Sequence, residues 1–209
     1  MSNETKTKEK VDMDPKYILK LTLTLLVTCV IVAGVLGFVN SITKDKIEAF
    51  NLEKTNTALS NVYQQASAPQ FEETDVTDAM TAAASSYSAT LKNVYKVTDG
   101  GSDAGYAVKI VAAGSQGDIE MVVGVDTDGA VTGVSIVKNS ETSGIGSKVM
   151  GNLPLANGTP VLDQFIGKTT SDQPLKVGSN VDAISGATVS SKGVTKGVNG
   201  ALAVVAAIG

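Results

Sequence analysis

The run "LTLTLLVTCVIVAGVLGFV", from Leu21 to Val39, carries no charged residue. Its length is close to the ~20 residues a helix needs to cross the apolar core of a bilayer. Two identities compete for such a run near a chain start. A cleaved leader has an apolar core of about 7–15 residues followed by a small-residue cleavage site. This run is longer, and no clear A-x-A site follows it, so a retained anchor is expected. Its threonines can bond back to carbonyls of their own helix, which keeps their cost in an apolar medium low. Lys6, Lys8, Lys10, Lys16 and Lys20 precede the run, and Lys44, Lys46 and Lys54 follow it. That excess places the N-terminus in the cytoplasm and the bulk of the chain, beyond about Asn40, outside it.

A chain of 209 residues is one ordinary domain with an appendage, or two small lobes. Net charge is −4, so no nucleic-acid partner is expected. Every basic residue is lysine; the sequence has no arginine, no histidine and no tryptophan. Histidine metal sites and histidine acid–base catalysis are thereby excluded, as is a bidentate arginine clamp on phosphate. Any phosphate held here must rest on backbone N–H groups, hydroxyls or lysine. The single cysteine, Cys29, rules out an intrachain disulfide and a cysteine-ligated cluster. Within the apolar run it reads as a small hydrophobe, with acylation the minor alternative.

Beyond the anchor, Ser41 to Ala66 has helical spacing, with Leu59, Val62, Tyr63 and Ala66 recurring on one side. Residues 67–90 are small and polar and read as a linker, with a short alanine-rich helix near Ala79 to Ser85. Strands are expected at Tyr106–Val111, Ile119–Val125 and Val131–Val137, with an earlier one at Val94–Val97. "DTDG" at 126–129 forms the turn between the last two, Gly129 supplying a positive φ. Val194, Val198, Ala201, Leu202 and Val205 then mark a terminal amphipathic helix, with Ser190 or Ser191 at its N-cap. Gly193, Gly197 and Gly200 are poor helix formers; their spacing suggests that something packs closely against that face. Strands flanked by helices make an α+β domain.

"DAISGATVSSKG", Asp182 to Gly193, crowds Ser185, Thr188, Ser190 and Ser191 around Gly186 and Ala187 just before that helix. A plain turn and a capped helix would account for it. A serine nucleophile would need a base, and no histidine exists; the G-x-S-x-G elbow and the G-x-x-x-x-G-K-[ST] phosphate loop are both absent. The chemical alternative is an anion site. The first turn of a helix leaves N–H groups unpaired and its dipole favours negative charge. Gly186 and Ala187 keep the approach open, the serines add donors, and Thr188 stands at the mouth, where its hydroxyl could itself carry a phosphoryl group.

"DAISGATVSS" resembles the flavinylation motif of the FMN-binding domain family, D-x-x-[ST]-G-A-[ST]-x-x-[ST]. The resemblance implies that Thr188 carries FMN through a phosphodiester bond, made from FAD and magnesium by a separate flavin transferase. It implies that Asp182 shapes the acceptor site and that Ser185, Gly186, Ala187 and Ser191 are recognition positions. "NSETSGIGSKV", 139–149, is similar to the family's H-x-E-T-P-G-L-G loop, which lies against the flavin and its phosphate. Glu141, Thr142, Gly144 and Gly146 match; Asn139, Ser143 and Ile145 replace histidine, proline and leucine. Ile145 is expected to offer an apolar surface to the isoalloxazine ring. Lys148 and Lys192 could pair with the phosphate, though solvated surface lysines are the common case. Tyr106 could stack on the ring, though a half-buried strand tyrosine is more common.

One anchor, an outer domain, an "ETxGxG" loop and the acceptor motif resemble the layout of the G subunits of Rnf ion-translocating ferredoxin:NAD oxidoreductase complexes. The C subunits of sodium-pumping NADH:quinone reductases share it. The resemblance implies a cytoplasmic tail over 1–20, a transmembrane helix over 21–39, a stalk and linker over 40–90, and an extracytoplasmic FMN-binding domain over 91–209, an antiparallel sheet with flanking helices. It implies an electron-transfer subunit of a membrane translocase with no independent catalytic activity, partnered by other Rnf subunits, membrane lipid and, during maturation, the transferase. A standalone flavinylated carrier and a non-redox binding module remain alternatives.

Overall fold

The computed structural model describes residues 14–208; Lys6, Lys8 and Lys10 of the orientation argument lie outside them. The chain divides into two compact units between Phe50 and Asn51. A single helix, α1, runs from Pro15 to Val62. Within the first unit, its run Leu21–Val39 is free of charge and exposed, with a window of mean hydropathy 2.5, so by length and composition the helix is able to cross a membrane. Thr22, Thr24 and Thr28 donate their hydroxyls to the carbonyls of Ile18, Lys20 and Thr24 at 2.8–3.0 Å, as the sequence suggests.

The second unit is a five-stranded antiparallel meander in the order β1-β2-β3-β4-β5: β1 Pro69–Thr74, β2 Ala89–Asp99, β3 Ser102–Ala113, β4 Asp118–Asp126 and β5 Val131–Lys138. Helix α2, Asp78–Ser86, precedes β2, and α4, Thr188–Ala206, closes the fold. Between β5 and α4 lie the one-turn helix α3, Ser147–Met150, and short 3-10 turns. The expected strands are all present, each longer than its apolar run. Asp126–Gly129 turns β4 into β5, with Gly129 at φ +78° and Asp126 accepting the N–H groups of Asp128 and Ala130.

Period-two alternation on the strands sorts the core into two layers. Ile110, Ala112, Ile119, Met121, Val123 and Val125 join α2 and α4 in one cluster. Val97, Ala107, Val122 and Val137 join Ala58, Leu59, Val62 and Tyr63 in the other. Because β4 is covered on both faces, it reads as a near-continuous apolar run. The last turns of α1 settle on the sheet where Gly124 and Gly133 are cross-strand partners; a Cβ at Gly133 would stand 3.1 Å from Val62 Cα. Thr132 donates to the Val62 carbonyl at 2.7 Å, and the buried Tyr63 hydroxyl donates to Val125 O at 2.7 Å, with Tyr106 O 3.1 Å away. Lys109 meets Glu120 at 2.9 Å and Thr55 Oγ1 at 3.1 Å in the same layer.

Two expectations fail here. Residues 67–90, expected as linker with a short helix near Ala79 to Ser85, hold that helix as α2 but also the strand β1, which was not expected. Strand β1 is an edge strand of sequence "PQFEET". It shows no alternation because Phe71 is its one large apolar side chain, set edge-on to Tyr63 at 6.2 Å between ring centroids. Helix α4 begins at Thr188 with Ala187 in the cap position and no side-chain cap. Ser190 and Ser191 therefore lie inside the helix, where the Ser191 hydroxyl donates back to Ala187 O.

The glycine spacing on α4 does mark a close approach. A Cβ at Gly193 would stand 2.7 Å from the Ala113 carbonyl oxygen, one at Gly197 2.6 Å from Met121 Sδ, and one at Gly200 2.8 Å from Ile110 Cδ1. Gly193→Ala should therefore destabilise the protein by about 1–3 kcal/mol through overpacking against backbone, although alanine favours an isolated helix by about 1 kcal/mol. A thermal midpoint raised by the substitution would refute this packing. Burial pushes the Tyr63 phenol above its ordinary value of about 10. The unfolded state then loses that proton first, so this stabilisation is complete below about pH 10 and is lost as pH rises through the folded value. Tyr63→Phe should lower stability at neutral pH by about 1–2 kcal/mol and show a shallower alkaline decline than wild type in denaturation at stepped pH.

Candidate functional site

The tight α4 seam decides where the helix starts. Gly193 lies on the end of β3, so the turn before it sits beside the β3–β4 hairpin, Gly114–Gly117. Glu141 joins these segments. Its Oε1 accepts the N–H groups of Ser115 at 2.7 Å and Gln116 at 3.3 Å, and its Oε2 accepts the Ser190 hydroxyl. The two motifs singled out in the sequence, 139–147 and 182–193, are thus brought together.

The 139–147 loop is a compact turn. Asn139 Oδ1 accepts the Glu141 N–H at 3.2 Å. The Thr142 carbonyl accepts the N–H groups of Ile145 and Ser147, and Ser147 Oγ accepts the Gly144 N–H at 2.8 Å. Gly144 has φ +79° and a Cβ there would meet nothing within 4 Å. Gly146 is buried, and a Cβ on it would overlap the Glu141 side chain. Thr142 and Ile145 are exposed, Ile145 at 51%.

In the acceptor motif, Ala187 is buried and its N–H donates to Ile184 O at 2.9 Å, while Gly186 turns at φ +81° into open space. Ser190 and Ser191 are 1% and 2% exposed and both hydroxyls are bonded. Thr188, Ser185 and Asp182 are exposed, and their side chains have no hydrogen-bond partner among the described residues. Among the described residues the N–H groups of Thr188, Val189 and Ser190 at the head of α4 have no backbone acceptor, as in the first turn of any helix. Lys148 and Lys192 are exposed on α3 and α4. The arrangement can hold an anion on backbone N–H groups beside a free hydroxyl, with the exposed side chains of Ile145 and of Val189, itself 55% exposed, as apolar surface.

Gln164, which no sequence pattern singles out, clamps the acceptor loop. Its Oε1 accepts the Asp182 N–H at 2.8 Å, and its Nε2 donates to Asp182 O at 3.1 Å and Val161 O at 2.8 Å. The hairpin glycines Gly114 and Gly117 carry no such signal either; only their place across from Glu141 marks them. Tyr106 falls away from the site. It shares a cleft with Leu202 and Val205 at the other end of α4, roughly 20 Å along the helix from Thr188 at 1.5 Å per residue.

The FMN-binding domain family matches residues 114–203, and the RnfG N-terminal region matches residues 13–62. The G subunit of the Na(+)-translocating ferredoxin:NAD(+) oxidoreductase complex of Acetobacterium woodii is 34% identical over 92% of this chain and 94% of its own. The G subunit of the ion-translocating oxidoreductase complex of Methanosarcina acetivorans is 30% identical over 93% and 97%. Among solved structures, Shewanella oneidensis NqrC is 22% identical over 66% of each chain, with a TM-score of 0.41. Sharing 34% of its aligned residues with one such G subunit along nearly its whole length, and carrying the RnfG N-terminal region ahead of an FMN-binding domain, this chain belongs to the family of G subunits of ion-translocating oxidoreductase complexes.

Proposed function

We propose that this protein is a membrane-anchored electron-transfer subunit of an Rnf-type complex, carrying FMN covalently on Thr188. One observation carries the attachment point. Of the motif hydroxyls that a transferase could use on α4, Ser190 and Ser191 are buried and bonded, whereas Thr188 is exposed and free at the helix's first position. Ser185 is the other exposed hydroxyl, but it precedes the turn at Gly186 and lies outside the helix.

The residues present suit the phosphate of FMN. Three N–H groups have no partner among the described residues at the positive end of a 19-residue helix, and the glycine beside them leaves the approach clear. Lys148 on α3 and Lys192 on α4 are exposed basic residues of these two segments. The exposed Ile145 side chain gives an apolar surface for a ring. In the maturation step Thr188 Oγ1 would bond to the FMN phosphorus of FAD, the pyrophosphate bond would break, AMP would leave, and the hydroxyl proton would pass to solvent. FMN supplies the redox chemistry when bound; the chain supplies position and electrostatics. No general acid or base is needed of the chain, in keeping with a carrier that turns over no free substrate.

The relation to G subunits along nearly the whole chain favours this reading over the C-subunit alternative. We assign the N-terminus to the cytoplasm and residues beyond about 40 to the far side, on the lysine excess before α1's apolar run. Other membrane subunits of the complex, lipid and a flavin transferase are its partners in this account.

Produced beside a flavin transferase, wild type should gain the mass of one FMN less one water and fluoresce in a denaturing gel. Thr188→Val should lose both signals and Ser185→Ala should keep them; fluorescence surviving in Thr188→Val moves the attachment elsewhere. Gln164→Ala, which frees the Asp182 backbone, should lower the flavinylated fraction several-fold with little change in thermal midpoint. An unaltered fraction would show that the clamp does not shape the acceptor loop.

A further inference from the structure

We propose that Glu141 is a positioning residue that fixes the acceptor turn while leaving its anion-binding donors free, and that it makes no contact with the flavin. The proposal rests on Thr188 as the attachment point. A carboxylate at a helix N-terminus commonly accepts the unpaired N–H groups of the first turn. Glu141 does not. It reaches α4 through the Ser190 hydroxyl, and its other oxygen takes the amides of Ser115 and Gln116 in the β3–β4 hairpin. The N–H groups of Thr188, Val189 and Ser190 stay available.

The slot around the carboxylate is built for it. Cβ atoms at Gly114 and Gly146 would both overlap the Glu141 carboxylate oxygens, and the Cβ at Gly146 would also stand 2.9 Å from Ser190 Oγ. Ser190 is 1% exposed, so its hydroxyl would be left without a partner in a buried setting if Glu141 were removed. Three chain segments, distant in sequence, therefore hold one another through a single side chain. The Thr188 turn inherits its place from that junction, because Ser190 lies two residues along the same helix.

The test uses the full chain with Glu141→Ala, Glu141→Gln, Ser190→Ala and the Ala/Ala double variant. Hydrogen exchange is read on unmodified protein, and the rate of flavinylation by a transferase is read separately. Glu141→Ala should speed exchange at Ser115 and Gln116 at least tenfold and slow flavinylation at least tenfold. Glu141→Gln, which keeps the shape and one acceptor oxygen, should recover most of both. The double variant should be no slower to flavinylate than Glu141→Ala alone. Whatever fraction becomes flavinylated should keep the wild-type visible spectrum and midpoint potential. Unchanged hairpin exchange in Glu141→Ala, or a shifted flavin spectrum in Glu141→Gln, overturns the proposal. If Glu141→Ala does not fold, Glu141→Gln and Ser190→Ala decide it on the same readouts. If wild type accepts no flavin, the attachment reading fails and exchange alone decides whether the junction stands.

Discussion

The approach of α4 to the sheet along Gly193, Gly197 and Gly200 is the contact on which the rest of the second unit depends. A side chain at Gly193 would have to displace the Ala113 carbonyl, so the helix lies close on β3 and β4 at these glycines. That closeness sets the first turn of α4 beside the β3–β4 hairpin. Only then can one carboxylate reach from the hairpin amides to the Ser190 hydroxyl. The site is thus a consequence of packing some distance from it.

The composition narrows the chemistry in the same direction. A chain without arginine or histidine has no side chain that grips phosphate in a planar, bidentate way. What it has is the backbone. The unpaired N–H groups at the head of a long helix are fixed in place by the helix itself and need no side-chain ordering. Glycine at 186, in a left-handed conformation, turns the chain into that helix without covering it.

Strands β2 to β5 and both terminal helices are legible in the sequence because their apolar patterns are strong. β2 to β5 all carry buried apolar side chains, and α4 keeps a helical stripe despite three glycines. β1 is not legible: an edge strand needs few apolar side chains, and "PQFEET" contributes Phe71 alone. The expected N-cap is misplaced because serines near a helix start usually cap it, whereas Ser190 and Ser191 serve Glu141 and the Ala187 carbonyl inside the first turn. The motif residues 141–146 and 182–191 stand out through their family resemblance and lie together. Gln164 and the 114–117 hairpin do not stand out, since a glutamine that holds backbone and a turn that donates two amides have no pattern of their own in a sequence.

The central claim, a permanent flavin on Thr188, is tested most directly on protein purified from its own host. Trypsin releases the acceptor motif as the peptide Val177–Lys192, and fragmentation by mass spectrometry locates any adduct within it. The account predicts an FMN phosphodiester on Thr188 in that peptide. A peptide of unmodified mass, or an adduct confined to Ser185, would contradict it.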